Sequence, residues 1–342
     1  METGENDDIM KDLGNYSLWL HNTFGIEAHC RRFLEFASVE EAQQVAKILR
    51  ETALPYIIIG GGSNLLLTKD FDGIVVHSAI KGISVVGSQM FCGSGVVWDD
   101  VVSCAVYNHL YGAENLSLIP GDVGASAVQN IGAYGTEVKD LIMEVEAIEI
   151  ATGKLCVISN EECAYAYRQS RFKQEWRNQY LITHVTYQMD TVFEPRLDYG
   201  NIRSELARRN IIQPTAPELR QIIIDIRNAK LPDPNKIGNA GSFFMNPIVS
   251  REKYEDLAMY HEDIPHYTID AEHEKIPAGW LIEQCGWKGK SMGRAGVYDK
   301  QALVLVNLGG ATGQEILSLC KAIQNDVWEV FGINIQPEVN II

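Results

Sequence analysis

The chain has 342 residues, and its 46% hydrophobic and 22% charged side chains are typical of a soluble globular protein with two or three domains. The formal net charge of −16 disfavours a nucleic-acid-binding protein, because such proteins neutralise phosphates with Lys and Arg. The seven cysteines lack Cys-x-x-Cys spacing, so they predict core thiols in a reducing compartment. No run approaches the ~20 apolar residues of a membrane span, and the acidic start of the chain has no apolar leader segment. We therefore expect a cytoplasmic protein without membrane insertion.

Helix and strand patterns alternate along the chain. Three helices are predicted to begin at capping boxes, where a hydroxyl and a carboxylate satisfy free N–H groups: Ser38 with Glu41, Thr215 with Glu218 and Thr312 with Glu315. The predicted helices cover 39–49, 99–110, 216–230 and 313–331, and the predicted strands cover 56–59, 74–76, 83–86, 143–150, 155–159, 180–189, 301–307 and 333–341. Leu231-Pro232-Asp233-Pro234 ends the third helix and predicts a domain boundary near residue 230.

Two runs of small residues are the most informative part of the sequence. They are 60–64, Gly-Gly-Gly-Ser-Asn, and 120–135, in which Asp122 is the only charged residue. Small neutral runs let backbone N–H groups approach an anionic group closely, so both predict contacts to a phosphate-bearing cofactor. Neither run supplies the Gly-Lys-Ser/Thr of a Walker loop, and Gly93-Ser94-Gly95 does not continue into a dinucleotide fingerprint. ATP hydrolysis and NAD-type dehydrogenase folds are therefore disfavoured.

With four further motifs, the two runs resemble the bacterial UDP-N-acetylenolpyruvoylglucosamine reductase family. The motifs are 167–173, 230–234, 238–247 and 337–339, and the resemblance covers roughly 15–342 in order. It implies an α+β fold, the FAD-binding fold of the vanillyl-alcohol-oxidase (PCMH) type in two subdomains plus a C-terminal α+β substrate-binding domain. The expected boundaries are 1–75 and 76–230 for the FAD-binding subdomains and 231–342 for the UDP-sugar domain.

The function that the resemblance implies is reduction of the enolpyruvyl group of UDP-N-acetylglucosamine enolpyruvate to UDP-N-acetylmuramate, in cytoplasmic peptidoglycan precursor synthesis. FAD would be bound non-covalently, NADPH would supply the hydride, and the protein would be a monomer. Two alternatives stay open: an FAD-dependent oxidase of the same fold, and a non-catalytic UDP-sugar binder. The eight histidines show no ligand spacing, so no metal site is expected.

Three residues match the family's catalytic positions. Arg168 suits a developing carboxylate because its planar fork donates two parallel hydrogen bonds. Ser242 matches the proton donor to C2, with Lys230 as a candidate helper. Glu338 matches the catalytic glutamate, and we expect it to be protonated at the catalytic step, since burial beside an anion raises the pKa of a carboxyl group.

The remaining expected contacts follow from the same resemblance. Substrate-binding positions are Tyr199, Lys230, Asn246 and Gln284, with Tyr199 on the mobile loop of the longer family branch. Met245 departs from the basic residue that many relatives have there. The expected cofactor-binding positions are Gly60, Gly61, Gly62, Ser63, Asn64, Gly124, Ala125, Ser126, Gln129, Asn130, Ile131, Gly132, Ala133 and Tyr134.

Overall fold

The structure, a computed structural model, describes residues 10–342, so the acidic start of the chain lies outside the described residues. The strands are β1 (Lys11–Ser17), β2 (His29–Phe36), β3 (Tyr56–Ile59), β4 (Leu65–Leu66), β5 (Phe71–Ser78), β6 (Ile83–Val86), β7 (Gln89–Gly93), β8 (Gly132–Ala133), β9 (Thr136–Glu137), β10 (Ile142–Glu149), β11 (Leu155–Ser159), β12 (Tyr180–Gln188), β13 (Gly238–Ser242), β14 (Ile248–Ser250), β15 (Tyr267–Thr268), β16 (His273–Lys275), β17 (Ser291–Met292), β18 (Ala295–Val297), β19 (Val304–Asn307) and β20 (Asn340–Ile341). The α-helices are α1 (Val39–Glu51), α2 (Trp98–Tyr107), α3 (Val123–Gln129), α4 (Ile202–Arg208), α5 (Ala216–Lys230), α6 (Arg251–Ala258), α7 (Ala278–Gln284) and α8 (Gly313–Phe331).

The chain divides into two compact units. Of the described residues, unit 1 contains 10–16, 30–61 and 71–229, and unit 2 contains 17–29, 62–70 and 230–342. Two short segments from the first part of the sequence therefore fold with the C-terminal part. The division into three domains expected from sequence remains a prediction.

Unit 1 contains two larger sheets and the two-stranded pair β8-β9. The first has the strand order β1-β2-β5-β3, with β5 parallel to both β2 and β3. The second is antiparallel, with the order β11-β10-β12-β7-β6. Helix α1 buries Ala42, Val45, Ala46 and Leu49 in one core with residues of β2, β5, β10 and β12, which burial stabilises through the hydrophobic effect. A second core joins α2 and α3 to the antiparallel sheet.

Unit 2 is built around a four-stranded sheet with the order β13-β19-β18-β17. Helix α8 buries the face that carries Ile316, Leu319, Ile323 and Val327, and it ends at Gly332, whose φ of 61° is the left-handed conformation that glycine adopts at little cost. Strands β4 and β20 form a separate parallel pair. No helix among residues 10–342 combines the length and the apolarity that crossing a membrane requires.

Most predicted elements are confirmed. The oxygens of Ser38 and Thr312 accept hydrogen bonds from the N–H groups of Glu41 and Glu315, as expected for capping boxes. The predicted strands 56–59, 83–86 and 155–159 coincide with β3, β6 and β11, and β10 and β11 form the predicted hairpin.

The prediction of one strand over 333–341 was wrong, since only Asn340–Ile341 is a strand. This segment changes its hydrogen-bonding partner halfway along. The Glu338 N–H donates to the Phe243 carbonyl oxygen at 2.8 Å, whereas the Asn340 N–H donates to that of Asn64 at 3.1 Å. Pro337, which has no N–H, lies just before the change, so no continuous ladder forms.

Candidate functional site

The start of the first glycine-rich run, Gly60 and Gly61, packs against the second run inside unit 1. A Cβ on Gly60 would lie 2.8 Å from the Ala125 Cβ, a distance that real Cβ atoms do not adopt. A Cβ on Gly61 would lie 3.3 Å from Oδ1 of Asp122. The two runs therefore approach each other so closely that Gly60 is required. The next residue, Gly62, belongs to unit 2, where its φ is 69° and a Cβ would overlap the His21 carbonyl oxygen.

The start of the second run is helical. Helix α3 begins after Asp122 and ends at Asn130, which adopts the left-handed conformation with a φ of 46°. The Ser126 hydroxyl is buried and bonds the Val123 carbonyl oxygen at 2.7 Å. The Asn130 side chain donates to the Ala166 carbonyl oxygen at 2.8 Å. These two predicted cofactor contacts therefore have side chains engaged by the protein itself.

One side-chain oxygen of the second run has no partner within the described chain. Oε1 of Gln129 is buried without a hydrogen-bond partner among residues 10–342. Buried polar groups are normally satisfied, so this atom indicates that a polar ligand completes the site.

The end of the second run is a tight turn. Gly132–Ala133 pairs with Thr136–Glu137, and Tyr134 and Gly135 between them have φ values of 47° and 78°. Ile131, Gly132, Ala133 and Tyr134 are all partly exposed. The main chain of the turn is therefore accessible to a ligand along its length.

Arg168 is held beneath this turn. Its Nη1 donates to the Asn130 carbonyl oxygen at 3.2 Å, and its Nη2 donates to that of Gly132. A Cβ on Gly132 would lie 2.7 Å from Nη1 of Arg168, so glycine makes room for the guanidinium. Arg168 itself has a φ of 55°, and the Lys173 ammonium donates to its carbonyl oxygen at 3.2 Å. Unit 1 thus positions a guanidinium beside the proposed cofactor loop.

Tyr199 lies next to the same turn. A Cβ on Gly135 would be 3.4 Å from Cδ2 of Tyr199, and the tyrosine side chain is partly exposed. It lines a pocket of about 390 Å³ in unit 1 together with Asn115, Tyr134 and Arg196. The structure therefore brings Tyr199, Arg168 and the second glycine-rich run together in one unit.

Ser242 and Glu338 belong to unit 2 and are neighbours through the backbone. Ser242 is exposed at the end of β13, and the next residue, Phe243, accepts the Glu338 N–H bond at 2.8 Å. The Asn64 side chain donates to the Glu338 carbonyl oxygen at 3.2 Å. Three predicted site residues far apart in sequence, Asn64, Ser242 and Glu338, are therefore brought together. Ser63, just before Asn64, is partly buried.

The other predicted substrate contacts in unit 2 lie around α7 and at the end of α5. Oδ1 of Asn246 accepts a hydrogen bond from the Ala278 N–H at 2.9 Å, so Asn246 caps the start of α7. Gln284 is exposed at the end of that helix. Lys230 is the partly buried last residue of α5. Met245 is partly buried, and its N–H donates to the Gln336 carbonyl oxygen at 2.9 Å.

Arg227 is a candidate that sequence reasoning missed. It lies on α5, and its Nε is buried without a hydrogen-bond partner among residues 10–342. Burial lowers the pKa of this guanidinium, while Tyr134 and Asp99 act in the opposite direction. Arg220, two turns earlier on α5, is instead paired with Asp99 at 2.8 Å. The sequence signal that could have identified Arg227 is its spacing from Arg220. The two arginines are seven residues apart, which places them on one, otherwise apolar, face of α5.

These features fit a flavin nucleotide better than a metal. The close glycine contacts and the guanidinium suit an anionic cofactor that approaches the main chain closely. Within the described part of the chain, no cluster of three or more His, Cys, Asp or Glu could hold a metal ion.

Comparison with known proteins identifies the cofactor class. A family model described as an FAD binding domain matches residues 31–159, and one described as the C-terminal domain of UDP-N-acetylenolpyruvoylglucosamine reductase matches 233–342. The chain is 52% identical over 332 residues to the UDP-N-acetylenolpyruvoylglucosamine reductase of Bacteroides fragilis, covering 96% of this chain and 99% of the relative. It is 44% identical over 339 residues to the reductase of the same name from Flavobacterium johnsoniae, covering 97% and 100%.

A solved structure supports the fold. The UDP-N-acetylenolpyruvylglucosamine reductase of Thermus caldophilus matches with a TM-score of 0.67 at 22% identity, covering 97% of this chain and 98% of that one. The predicted α+β FAD-binding fold is thereby confirmed. The curated relatives and the FAD-binding family model confirm the prediction that the chain is an FAD-containing oxidoreductase. The family model and the curated relatives support the use of FAD and NADPH, the two cofactors predicted from the sequence. The full-length matches show that the chain belongs to the UDP-N-acetylenolpyruvoylglucosamine reductase family.

Proposed function

We propose that this chain reduces the enolpyruvyl ether of UDP-N-acetylglucosamine enolpyruvate to the lactyl ether of UDP-N-acetylmuramate, with NADPH as the hydride donor. The relatives named for this reductase activity support the proposal. The observation that carries it is the backbone bond between Glu338 and Phe243, which brings the carboxyl residue next to Ser242. We further propose that the enzyme acts in the cytoplasm as a monomer, in the synthesis of peptidoglycan precursors.

Arg168 has the role of binding the substrate carboxylate. FAD, when bound, would supply a hydride to C3 of the substrate, and the chain would then have to stabilise negative charge at C2 and on the adjoining carboxylate. A guanidinium stabilises that charge best when its geometry is fixed before the reaction. The hydrogen bonds from Arg168 to the carbonyl oxygens of Asn130 and Gly132 provide this fixation.

Ser242 has the role of proton donor to C2. Its exposed hydroxyl follows Gly241, whose φ of 67° turns the chain at the end of β13. An alkoxide forms when the hydroxyl gives up its proton, and the ammonium of Lys230 would stabilise it. Glu338, in its protonated form, would complete the site without repelling the anionic intermediate.

Tyr199, Asn246 and Gln284 are proposed to hold the UDP-sugar. Tyr199 is partly exposed beside the second glycine-rich run, and its loop would cover the bound substrate. Asn246 keeps its amide NH₂ available, because its oxygen accepts the bond that caps α7. Gln284 presents its side chain from the far end of the same helix.

Stopped-flow kinetics of Ser242→Ala under anaerobic conditions test the proposal. We expect reduction of FAD by NADPH to stay within about twofold of the wild type, while reoxidation by the enolpyruvyl substrate slows by about 10²- to 10⁴-fold, the range for a lost proton donor. Ser291→Ala, an exposed serine on β17 of the same unit, is the matched control and should change neither rate.

Three results would contradict the proposed function. Equal loss of both half-reactions in Ser242→Ala would remove the proton-donor role. Steady peroxide production with a simple alcohol would favour the oxidase alternative. A purified protein without flavin absorbance that binds the UDP-sugar would favour a non-catalytic binder.

A further inference from the structure

Asp122 is an unexpected residue beside a loop proposed to bind a diphosphate. It is the one charged residue in 120–135, and its carboxylate faces the first glycine-rich run. Oδ1 lies 3.3 Å from the Cβ position of Gly61, and Oδ2 lies 3.6 Å from that of Gly60. The side chain does not cap α3, although Asp122 precedes that helix. A carboxylate at this point would repel a phosphate unless a cation offset its charge.

His77 is the group that faces this carboxylate. Its Nε2 lies 3.6 Å from Oδ2 of Asp122, and its Nδ1 lies 2.9 Å from Oε2 of Glu35. The sheet explains the arrangement, because His77 on β5 is in register with Glu35 on β2 and with Ile59 on β3. Since β3 ends at Ile59, His77 is beside the residue that immediately precedes Gly60.

The surroundings of His77 favour its charged form. Its charged neighbours are Glu35 from β2 and Asp122 from the segment before α3, while β3 contributes the apolar Ile59. Both ring nitrogens therefore face carboxylate oxygens, and an imidazole can donate from both only when it is protonated. Burial alone would lower the pKa of His77, but the two carboxylates raise it above its ordinary value. The hydrogen bond with His77, together with the contact to Lys11, lowers the pKa of Glu35 to about 2.

A fourth charge closes the network. The ammonium of Lys11 on β1 contacts Oε1 of Glu35 at 2.7 Å, on the opposite side of that carboxylate from His77. With His77 protonated, Lys11, Glu35, His77 and Asp122 carry no net charge together. With His77 neutral, the same four groups carry one negative charge next to Gly60 and Gly61.

We propose that His77 is a positioning residue for FAD: its imidazolium holds the Asp122 carboxylate and offsets its charge, so that FAD binds more weakly once His77 loses its proton. This inference rests on the proposed role of Gly60 and Gly61 in holding the cofactor. The Asp122 carboxylate lies beside the Cβ positions of both glycines, so its charge is close to their main chain. His77 thus makes an acidic residue compatible with an anionic ligand.

A double-mutant cycle on FAD affinity tests the inference. The protein stripped of flavin is titrated with FAD at about pH 6 and about pH 9, on either side of the range in which a raised histidine pKa falls. Quenching of flavin fluorescence gives the Kd. For the wild type we expect the Kd to rise about tenfold between the two pH values, the order of one partly screened charge.

Three variants separate the effect of the His77 charge on FAD binding from the effect of its contact with Asp122. His77→Gln should bind FAD about tenfold more weakly at low pH and lose most of the pH dependence. Asp122→Asn should bind at least as tightly as the wild type at both pH values. The double variant should recover the affinity that His77→Gln loses, because no carboxylate is left to offset.

His184→Gln is the matched control. His184 forms the same kind of pair, with Nδ1 2.9 Å from Oε1 of Glu146, and has a side chain about as buried as His77. This pair joins β12 to β10 in the other larger sheet of unit 1. The variant should leave both the FAD Kd and its pH dependence as in the wild type. The pH dependence that remains in His77→Gln accounts for titration of FAD itself.

Additive effects of the two substitutions, or a wild-type Kd that changes with pH no more than the Kd of His77→Gln, would overturn the role of His77 and leave the proposed function intact. A wild-type protein that fails to bind FAD would overturn both.

Thermal unfolding of each flavin-free variant distinguishes a loss of FAD affinity from a loss of stability. If the double variant unfolds at as low a temperature as His77→Gln but binds FAD like the wild type, the charge effect is established independently of stability.

Discussion

The ring of Tyr134 packs against Gly200: a Cβ on Gly200 would lie 3.3 Å from Cδ1 of Tyr134. Gly135 has the same relation to Tyr199, at 3.4 Å, so two adjacent tyrosine–glycine pairs interlock. The Asn115 side chain ties the two segments together, since it donates to the carbonyl oxygens of Tyr134 at 2.9 Å and Arg196 at 3.0 Å. The loop that carries Tyr199 is thus docked on the second glycine-rich run.

Gly200→Ala should loosen this docked loop. Gly200 has a φ of 64°, and its added methyl group would press on the Tyr134 ring, so the substitution combines backbone strain with a steric contact. We expect faster proteolytic cleavage within 195–201 and, because the Tyr199 loop is proposed to cover the substrate, a KM for the UDP-sugar raised about tenfold with a smaller change in kcat.

Gly87→Ala is the control that separates backbone strain at a positive φ from the steric contact with the Tyr134 ring. Gly87 has a similar φ of 61°, but no atom lies within 4 Å of its Cβ position. This control should cost stability by a similar backbone effect of about 1 kcal/mol while leaving proteolysis at 195–201 and the KM unchanged. If both variants raise the KM equally, the docking of the loop does not depend on the Tyr134–Gly200 contact.

Gly60→Ala should weaken FAD binding. The new Cβ would lie 2.8 Å from the Ala125 Cβ, so the two glycine-rich runs must separate, at a cost of about 1–3 kcal/mol for overpacking. The flavin-to-protein absorbance ratio after dialysis should fall below that of the wild type. Ala125→Gly removes the opposing methyl group, so Gly60→Ala/Ala125→Gly should regain flavin. A double variant as flavin-poor as Gly60→Ala would show that the contact is not the cause.

Asp99→Asn should destabilise unit 1 in a pH-dependent way. Asp99 receives two hydrogen bonds from Arg220, at 2.8 and 2.9 Å, and one from the Leu118 N–H at 2.6 Å. Burial alone would raise the pKa of Asp99, but these donors and the charge of Arg220 lower it below its ordinary value. A carboxyl group with a lowered pKa stabilises the fold above its unfolded pKa and loses that contribution as the pH falls.

We therefore expect Asp99→Asn to lower the free energy of unfolding in urea by about 2 kcal/mol near pH 7. The difference from the wild type should shrink as the pH is brought below about 4. Asp198→Asn is the control, because Asp198 pairs with Arg203 through a side chain that is 86% exposed, and it should change stability by less than about 0.5 kcal/mol. An Asp99→Asn effect that stays constant with pH would show that packing, and not the ion pair, is responsible.

Local signals in the sequence predicted the local structure well. Capping boxes such as Ser38 with Glu41 predicted helix starts because the interaction spans only three residues. The strand 56–59 was predicted from its own apolar residues. What could not be predicted depends on distant partners: the assignment of Gly61 and Gly62 to different units, and the interrupted strand at 333–341.

The same contrast between local signals and distant partners applies to the candidate site. The family motifs predicted Arg168, Ser242 and Glu338, but nothing local to Arg168 predicts its φ of 55° or its bonds to the turn after α3. Likewise Asp122 was recognised as the one charge in its segment, but its relation to His77 is fixed by the register of β5 with β3, which the sequence alone does not give.

Arg168→Lys tests whether the reaction requires the two-donor geometry of the guanidinium or only its positive charge. Arg168 uses Nη1 and Nη2 on two carbonyl oxygens, of Asn130 and Gly132, whereas lysine offers a single mobile ammonium. The charge would be kept and the fixed orientation lost. We therefore expect the reoxidation of reduced flavin by the enolpyruvyl substrate to slow by about 10²-fold or more, with reduction by NADPH nearly unchanged, both measured by stopped flow.

Arg171→Lys is the matched control three residues along. Arg171 places its guanidinium over the Trp176 ring at 5.2 Å and near Glu175 at 3.7 Å, contacts that a lysine partly retains. This variant should leave both half-reactions within about twofold of the wild type. If Arg168→Lys behaves like Arg171→Lys, a positive charge at this position is sufficient, and the two carbonyl bonds orient the side chain without contributing to the reaction. If only Arg168→Lys slows reoxidation, the second glycine-rich run acts in catalysis through the orientation that it imposes on Arg168.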